Sequence, residues 1–312
     1  MSRNKLHHWI GIGMNEATSH RRTEITASIG LVIGGMMWGL FWMPVRLIAG
    51  LGLPGAWAGI VIYTIATIVL LPVVWINRKS LRTRWPALLV CGLFTGAAFS
   101  LYTTSLSFTE VVRVILLFYL TPIWGTFLGV TLLGERLTLN RVLALLLGFG
   151  GLLVVLGLGE GFPWPRNPGD WMALASGLAW AFGSMKLYQM EFVPVSEQVL
   201  AFLVGSLFVT FVTLLLGGST LTTAVDPGVF VDAVPYALLS AIYVLPMLYL
   251  TVWPATLLAP GRVGLLLMSD AVVGVASAAA FSGEPFGWRE TLGTAMIVGA
   301  ALVEVLGARK SL

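Results

Sequence analysis

Long apolar runs alternate with short polar breaks along almost the whole chain. Runs of about 20 apolar residues, each enough to cross a hydrocarbon core about 30 Å thick, recur at 27–49, 55–76, 85–106, 109–132, 139–158, 170–190, 197–217, 234–252, 258–281 and 289–308. The pattern predicts ten membrane-spanning helices. Polar breaks at Asn77 to Arg84, Gly159 to Gly169 and Gly218 to Val234 separate neighbours clearly, whereas 106–109 and 252–258 hold little polar sequence. Nothing is long enough to form a separate soluble domain. Residues 1–26 are polar, and the apolar piece from Trp9 to Met14 is too short for a secretory signal core. They read as a cytoplasmic tail, with a membrane-surface helix or a start at Met14 as the alternatives.

One stretch is written twice. Val112 to Glu135 (VRVILLFYLTPIWGTFLGVTLLGE) lies over Gly261 to Glu284 (GRVGLLLMSDAVVGVASAAAFSGE) at a shift of 149 residues, with seven identities in 24 positions and no gap. The matches include Arg113 on Arg262, Gly125 on Gly274, and the Gly134-Glu135 corner on Gly283-Glu284. Gly150 falls on Gly299 at the same shift, and Trp38 pairs with Trp180 nearer the start of each half. Internal repeats of this kind are a signature of transporters. The copies are five spans apart, an odd number, so they cross the membrane in opposite directions. The fold class expected is an all-α polytopic membrane protein, ten helices arranged as two inverted five-helix repeats.

Composition agrees with the pattern. The chain is 57% hydrophobic and 10% charged, against roughly 45–50% and about 25% for a soluble domain. Its net charge of +4 follows from loop lysines and arginines and gives no reason to invoke nucleic acid. Thirteen Lys and Arg fall on the side of the N-terminus, against Arg46, Arg113, Arg166 and Arg289 on the other. The positive-inside rule therefore puts both termini in the cytoplasm. A tail over 1–26, a five-helix repeat over 27–158, a linker over 159–169, a second repeat over 170–308 and a cytoplasmic end at 309–312 follow. The single cysteine, Cys91, excludes an internal disulfide.

The segment LTPIWGTFLGVTLLGERLT, the Gly-rich fifth helix, the opening GDWMALASGLAWAF of the second half and the second Gly-Glu corner together resemble the drug/metabolite transporter superfamily, in particular its EamA-type ten-helix members. The resemblance covers nearly everything from residue 27 onward and is specific for family but weak for cargo. It implies plasma-membrane residence (a bacterial inner membrane), no cofactor, a small-molecule solute as partner, and a monomer or homodimer. It also implies a cavity lined by helices 1, 3, 4, 6, 8 and 9, with 5 and 10 packed behind. One departure stands out: Ala271, beside Asp270, occupies a helix 9 position where the family commonly has proline.

Catalytic signals are absent. His7, His8 and His20 all lie in the tail, and there is no metal-ligand spacing or phosphate-binding loop. The glycines at 148–151, and Gly125 with Gly129, read as close-packing surfaces. Charges inside spans are more informative, each costing about 2.5–3.5 kcal/mol at mid-helix on insertion scales. Asp270 lies about 12 residues into its span, near the midplane by a rise of about 1.5 Å per residue. It can take up a proton, hold a substrate amine, or serve as a structural carboxylate. Arg113 and Arg262 sit about one turn inside their spans. They read as a gate or anion-contacting pair, or as snorkelling side chains with Glu110 or Glu304 as partners. Glu304 lies at a depth suited to Arg262. Trp38, Trp42 and Arg46 share a helical stripe, fit for a cavity wall or an interfacial belt. Pro122 frees the carbonyl of Phe118 mid-span and is a candidate hinge, and Thr121 occupies the position equivalent to Asp270. Tyr102, Tyr119, Trp180, Tyr243 and Tyr249 are further candidates for lining, though core packing or lipid contact explains each as well.

The function expected is secondary active transport of small organic metabolites, amino acids or similar amphipathic solutes, by alternating access, with export as the direction and a proton as candidate coupling ion. No Walker motif is present, so ATP is not the direct energy source. The rivals are an uptake carrier for a cationic or zwitterionic solute and a non-transporting scaffold. An enzyme is not expected, since no paired carboxylates or histidine cluster lie at depth.

Overall fold

The computed structural model describes residues 3–76, 79–156, 165–190, 193–221, 225–281 and 287–308. All regular structure among them is helical: α1 (Arg3–Leu40), α2 (Trp42–Gly50), α3 (Ala56–Ile76), α4 (Lys79–Ser105), α5 (Val111–Phe118), α6 (Thr121–Leu132), α7 (Leu139–Leu156), α8 (Pro168–Gln189), α9 (Val195–Leu221), α10 (Pro227–Ala255), α11 (Pro260–Leu267), α12 (Ser269–Phe281) and α13 (Trp288–Ala308). Six stretches, at 21–50, 56–76, 83–105, 195–216, 227–255 and 260–281, are long and apolar enough to cross a bilayer. The protein is therefore a polytopic membrane protein. Its exterior carries large exposed apolar side chains, among them Trp75, Ile76, Leu216 and Ile242, as a lipid-facing surface requires. Helix α1 begins at Arg3, so the polar residues set apart by the sequence as a tail continue the first apolar helix.

Three of the apolar runs are broken in the middle, each for a local reason. In the first, Pro44 has no N–H to offer the Leu40 carbonyl, and α1 gives way to α2 at Phe41. Between α5 and α6 the cause is Pro122, which would otherwise have bonded to the Phe118 carbonyl. The Thr121 hydroxyl donates to that orphaned oxygen at 2.6 Å instead. Between α11 and α12 there is no proline. There Ser269, the first residue of α12, donates to the Leu266 carbonyl near the end of α11 at 3.1 Å and to the Val32 carbonyl of α1 at 2.9 Å. A serine side chain and a tertiary contact thus accompany the interruption here, where a proline accompanies the one between α5 and α6. The two interruptions coincide in register, since the 149-residue shift carries Phe118, the end of α5, onto Leu267, the end of α11.

Close helix approach depends on glycine. An added Cβ on Gly205 of α9 would lie 1.9 Å from the Gly92 carbonyl oxygen of α4, and one on Gly96 would lie 2.3 Å from the backbone of Gly205. On Gly151 of α7 it would lie 2.6 Å from the Gly293 carbonyl oxygen of α13. Small residues at such crossings let backbones meet and gain dispersion contact where lipid offers no hydrophobic drive. Gly129, read from sequence as a helix-packing residue, instead leaves room for the Glu135 carboxylate, 2.7 Å from a built Cβ. That carboxylate accepts from Arg141 Nη1 at 2.5 Å. Gly134 turns the corner with φ of +68°, a left-handed conformation that a side chain disfavours. The second corner, Gly283-Glu284, lies outside the described residues.

Neighbour relations run in matched pairs. Helix α4 packs on α8 and α9, and α10 packs on α1 and α3. Helices α3 and α9 touch each other, as do α7 and α13. The α5/α6 pair lies against α8, while the α11/α12 pair lies against α1.

Candidate binding cavity

Asp270 sits in the first turn of α12, where the exposed N–H groups after the break favour a negative charge. It is 2% exposed, and its Oδ1 has no hydrogen-bond partner. It faces a small cavity at the level of both interrupted helices. Phe118 and Leu267, the last residues of α5 and α11, line it, with Trp38 from α1 and Trp180 from α8. Ala98, Phe99 and Tyr102 come from α4, Phe202 from α9 and Thr251 from α10. The rings form one connected set: Trp38 lies 4.9 Å from Phe99 and 5.8 Å from Tyr102, both edge-on, and Tyr102 lies 5.3 Å from Phe118. Trp180 stacks on Phe202 at 6.1 Å. Trp38 Nε1 donates to Thr251 Oγ1 at 3.0 Å, whereas the buried Trp180 Nε1 has no partner. The volume is about 20 Å³, close to the ~10–15 Å³ that one water needs. In this conformation the cavity is closed to a solute.

Of the sequence candidates, Trp38, Tyr102, Trp180 and Asp270 meet at this cavity. Tyr119 stands behind Asp270, its hydroxyl donating to the Leu267 carbonyl at 2.7 Å, which ties the two interruptions together. Thr121 donates to Gly177 O of α8 at 3.1 Å as well as to Phe118 O, and Pro122 touches the close-packed Gly264 of α11. Tyr243 donates to the Met37 carbonyl. Tyr249 is half-buried beside Ser196, away from the lining. Trp42 is buried and donates to Ser277 Oγ at 3.0 Å, and Arg46 lies over its ring at 5.6 Å. The tryptophan stripe therefore divides. Trp38 faces the cavity, while Trp42 and Arg46 leave it at the α1/α2 break. Phe99, Phe118, Phe202, Thr251 and Leu267 are lining residues that sequence reasoning did not single out. The lining draws on every helix implied by the family resemblance and adds α9.

The two arginines also part company. Arg113, for which Glu110 was the expected partner, grips Asp170 with both arms: Nη2 to Oδ2 at 2.6 Å and Nε to Oδ1 at 3.3 Å. The Asp170 side chain is fully buried and that of Arg113 is 16% exposed. Thr109 Oγ1 donates to Asp170 Oδ1 at 2.9 Å, and the Arg166 backbone N–H donates to Oδ2 at 2.9 Å. Asn167 caps α8 by accepting from Asp170 N at 2.8 Å, while the Asp170 carboxylate holds the Arg166 N–H just before the cap. Arg262, by contrast, donates to Ser28 Oγ at 3.1 Å, and its buried Nε has no partner. The Glu304 side chain lies outside the described residues. Asp170 was visible in the sequence only as part of a family-like opening, Gly169-Asp170-Trp171.

Known proteins supply the remaining observation. The sequence pattern of the EamA-like transporter family matches residues 25–157, from α1 through α7. Over residues 25–157 the chain is similar to an EamA-like transporter domain. By its description that family is one of transporters. No curated protein matches the chain. A solved structure described only as a crystal structure of protein aligns with a TM-score of 0.64 at 22% identity, covering 90% of this chain and 98% of the other. That likeness speaks to the fold, and it extends past the EamA match into α8–α13.

Proposed function

We propose that the chain is a ten-span secondary transporter in which two antiparallel five-helix halves alternate access to the cavity at Asp270, carrying small amphipathic organic metabolites outward. The observation that carries the reading is one cavity lined by both halves at the depth where an interrupted helix of each half ends. Interrupted helices that expose polar backbone around a closed cavity are how carriers build a midplane site. The matched neighbour pairs and the coinciding interruptions support a duplicated and inverted unit. Amino acids are the simplest cargo of this description, although Arg46, their candidate carboxylate contact, stacks on Trp42 away from the lining. The membrane is the plasma membrane, with both termini on the cytoplasmic side.

Alternation needs two ends that part in turn, and the two arginines mark them. The offset that pairs Trp38 with Trp180 also pairs Ser28 with Asp170, and the repeat pairs Arg262 with Arg113. One end is therefore fastened by a buried bidentate ion pair between the halves, while among the described residues the equivalent place at the other has a hydrogen bond to a neutral hydroxyl. On this reading the Arg262 end opens at lower cost.

Two measurements test the proposal. Cys91 is buried, so cysteines introduced one at a time label against a quiet background. Cysteines beside Glu135 and beside Glu284 are expected to react with impermeant thiol reagents from opposite faces of the membrane. Labelling from one face overturns the inversion. In proteoliposomes, Asp270→Asn is expected to cut solute flux by about tenfold or more, the worth of one charge-assisted contact, and to change its dependence on pH if a proton couples there. Wild-type protein that moves no solute of any class would overturn the carrier reading.

A further inference from the structure

Asp270 brings a single charge to its cavity, and no lysine or arginine is among the residues that line it. Most of the polar groups near it are already spent. Thr251 accepts from Trp38 and donates to Met247 O at 2.8 Å, and Leu267 O accepts from Tyr119. Two buried groups of the lining have no partner: Asp270 Oδ1, an acceptor, and Trp180 Nε1, a donor. A buried carboxylate without a counter-charge is costly and is relieved either by a proton or by a cation that displaces the proton, so a cationic occupant gains where a neutral or anionic one does not. A bare metal ion fits poorly, because hard cations collect about six or more oxygen ligands and this wall is mostly ring and aliphatic carbon. Aromatic faces, however, attract organic cations, and Trp38, Phe99, Tyr102 and Phe118 supply them side by side.

A zwitterion fits less well. Its carboxylate would be stripped of water against neutral donors alone, the Trp180 N–H and the Tyr102 hydroxyl, and an ion so poorly paired loses more hydration than it regains. The geometry points to an organic monocation as the occupant. Its ammonium lies on Asp270, its apolar body lies among the rings, and a neutral acceptor such as a hydroxyl, ether or carbonyl oxygen takes the Trp180 N–H. This assignment rests on the carrier reading of the same cavity and narrows its cargo from amphipathic solutes in general to amines without a free carboxylate. Since the cavity now has room for little more than a water, the occupant enters only after the halves part.

Three probes of one shape separate the possibilities: phenylalaninol (cation with hydroxyl), phenylalanine (zwitterion) and 3-phenylpropionate (anion). Calorimetric titration of the full-length protein in nanodiscs at neutral pH is expected to show phenylalaninol binding about tenfold or more tighter than phenylalanine, the worth of an unpaired carboxylate. No binding of 3-phenylpropionate is expected. Asp270→Asn should weaken phenylalaninol by about tenfold or more, and Trp180→Phe, which keeps the ring and removes the N–H, by about fivefold. The probe ranking and Trp180→Phe decide the matter even if Asp270→Asn fails to fold. Equal or tighter binding of phenylalanine overturns the assignment, as does phenylalaninol binding untouched in a folded Asp270→Asn protein. Phenylalanine flux in proteoliposomes without phenylalaninol binding would overturn it while leaving the carrier reading standing. Phenylalaninol binding with the expected ranking, but without flux of any solute, would uphold the seat and overturn the carrier reading.

Discussion

Leucine in place of Gly205 is expected to leave essentially no folded protein. The Gly205 Cα faces the Gly92 carbonyl of α4 so closely that even a methyl group would sit 1.9 Å from its oxygen. Ordinary contact between such atoms is about 3.5 Å, so the helices would have to part by about 1.5 Å. Gly92 and Gly96 of α4 have the same relation to α9, with Cβ positions 2.4 Å from Ala201 O and 2.3 Å from Gly205 C. No side chain at this crossing can swing away, because the obstacle is backbone on both sides. Overpacking a core costs about 1–3 kcal/mol where side chains can shift, and the figure here exceeds that range. Alanine at 205 should give a smaller loss of the same sign. Gel filtration in mild detergent, followed by thermal unfolding, measures both. A Gly205→Leu protein that elutes as a single species and melts with the wild type would sink the claim that α4 and α9 are held at backbone contact.

Asp170→Leu is expected to destabilise the protein by about 3–5 kcal/mol, the range for stranding one partner of a buried ion pair. The guanidinium of Arg113 would then face a cavity wall with no carboxylate, while the Thr109 hydroxyl and the Arg166 N–H lose their acceptor. The pair as a whole is worth far less than either half alone, since apolar replacements of similar volume are often neutral. The double variant Arg113→Met/Asp170→Leu should therefore recover most of the lost melting temperature. Flux separates a fastening between halves from a plain structural pair. If the ion pair holds one end closed, the double variant transports at an altered rate although its stability is restored. A double variant with wild-type stability and wild-type flux would leave Arg113 and Asp170 a merely structural contact. A double variant as unstable as Asp170→Leu alone would show that the helix-start network around Asn167, not the pair, bears the load.

Local features were readable without coordinates. Hydrophobic run length marked the helices, because a bilayer admits only segments of one minimum length and leaves their backbone nothing to bond but itself. The interruption at Pro122 and the orphaned Phe118 carbonyl were equally legible, since each depends on residues within a few positions of one another. Asp270 was legible because a charge in an apolar run is conspicuous wherever the chain goes. The seat of Trp38 against Thr251 was not, nor was the departure of Arg46 from the cavity wall. The first follows from the packing of α1 on α10, the second from the turn at Phe41, which rotates the stripe that a straight helix would have kept in line. Phe99 and Phe202 escaped notice for a related reason: in a chain with 16 phenylalanines, nothing local tells a ring facing a cavity from one facing lipid.

The amino-acid order by itself determined that this chain enters a membrane as apolar helices, that Val112 to Glu135 resembles Gly261 to Glu284, and where a proline must interrupt the first of these stretches. Only the tertiary structure decided which partner each buried polar group found. Arg113 met Asp170 from 57 residues away, Arg262 met Ser28 from 234 residues away, and Ser269 reached Val32 on another helix. The physical reason is range. Backbone hydrogen bonding and hydrophobic run length act over a few neighbouring residues. A buried charge is satisfied by whatever donor or acceptor helix packing brings within about 3 Å, and spacing along the chain says nothing about that.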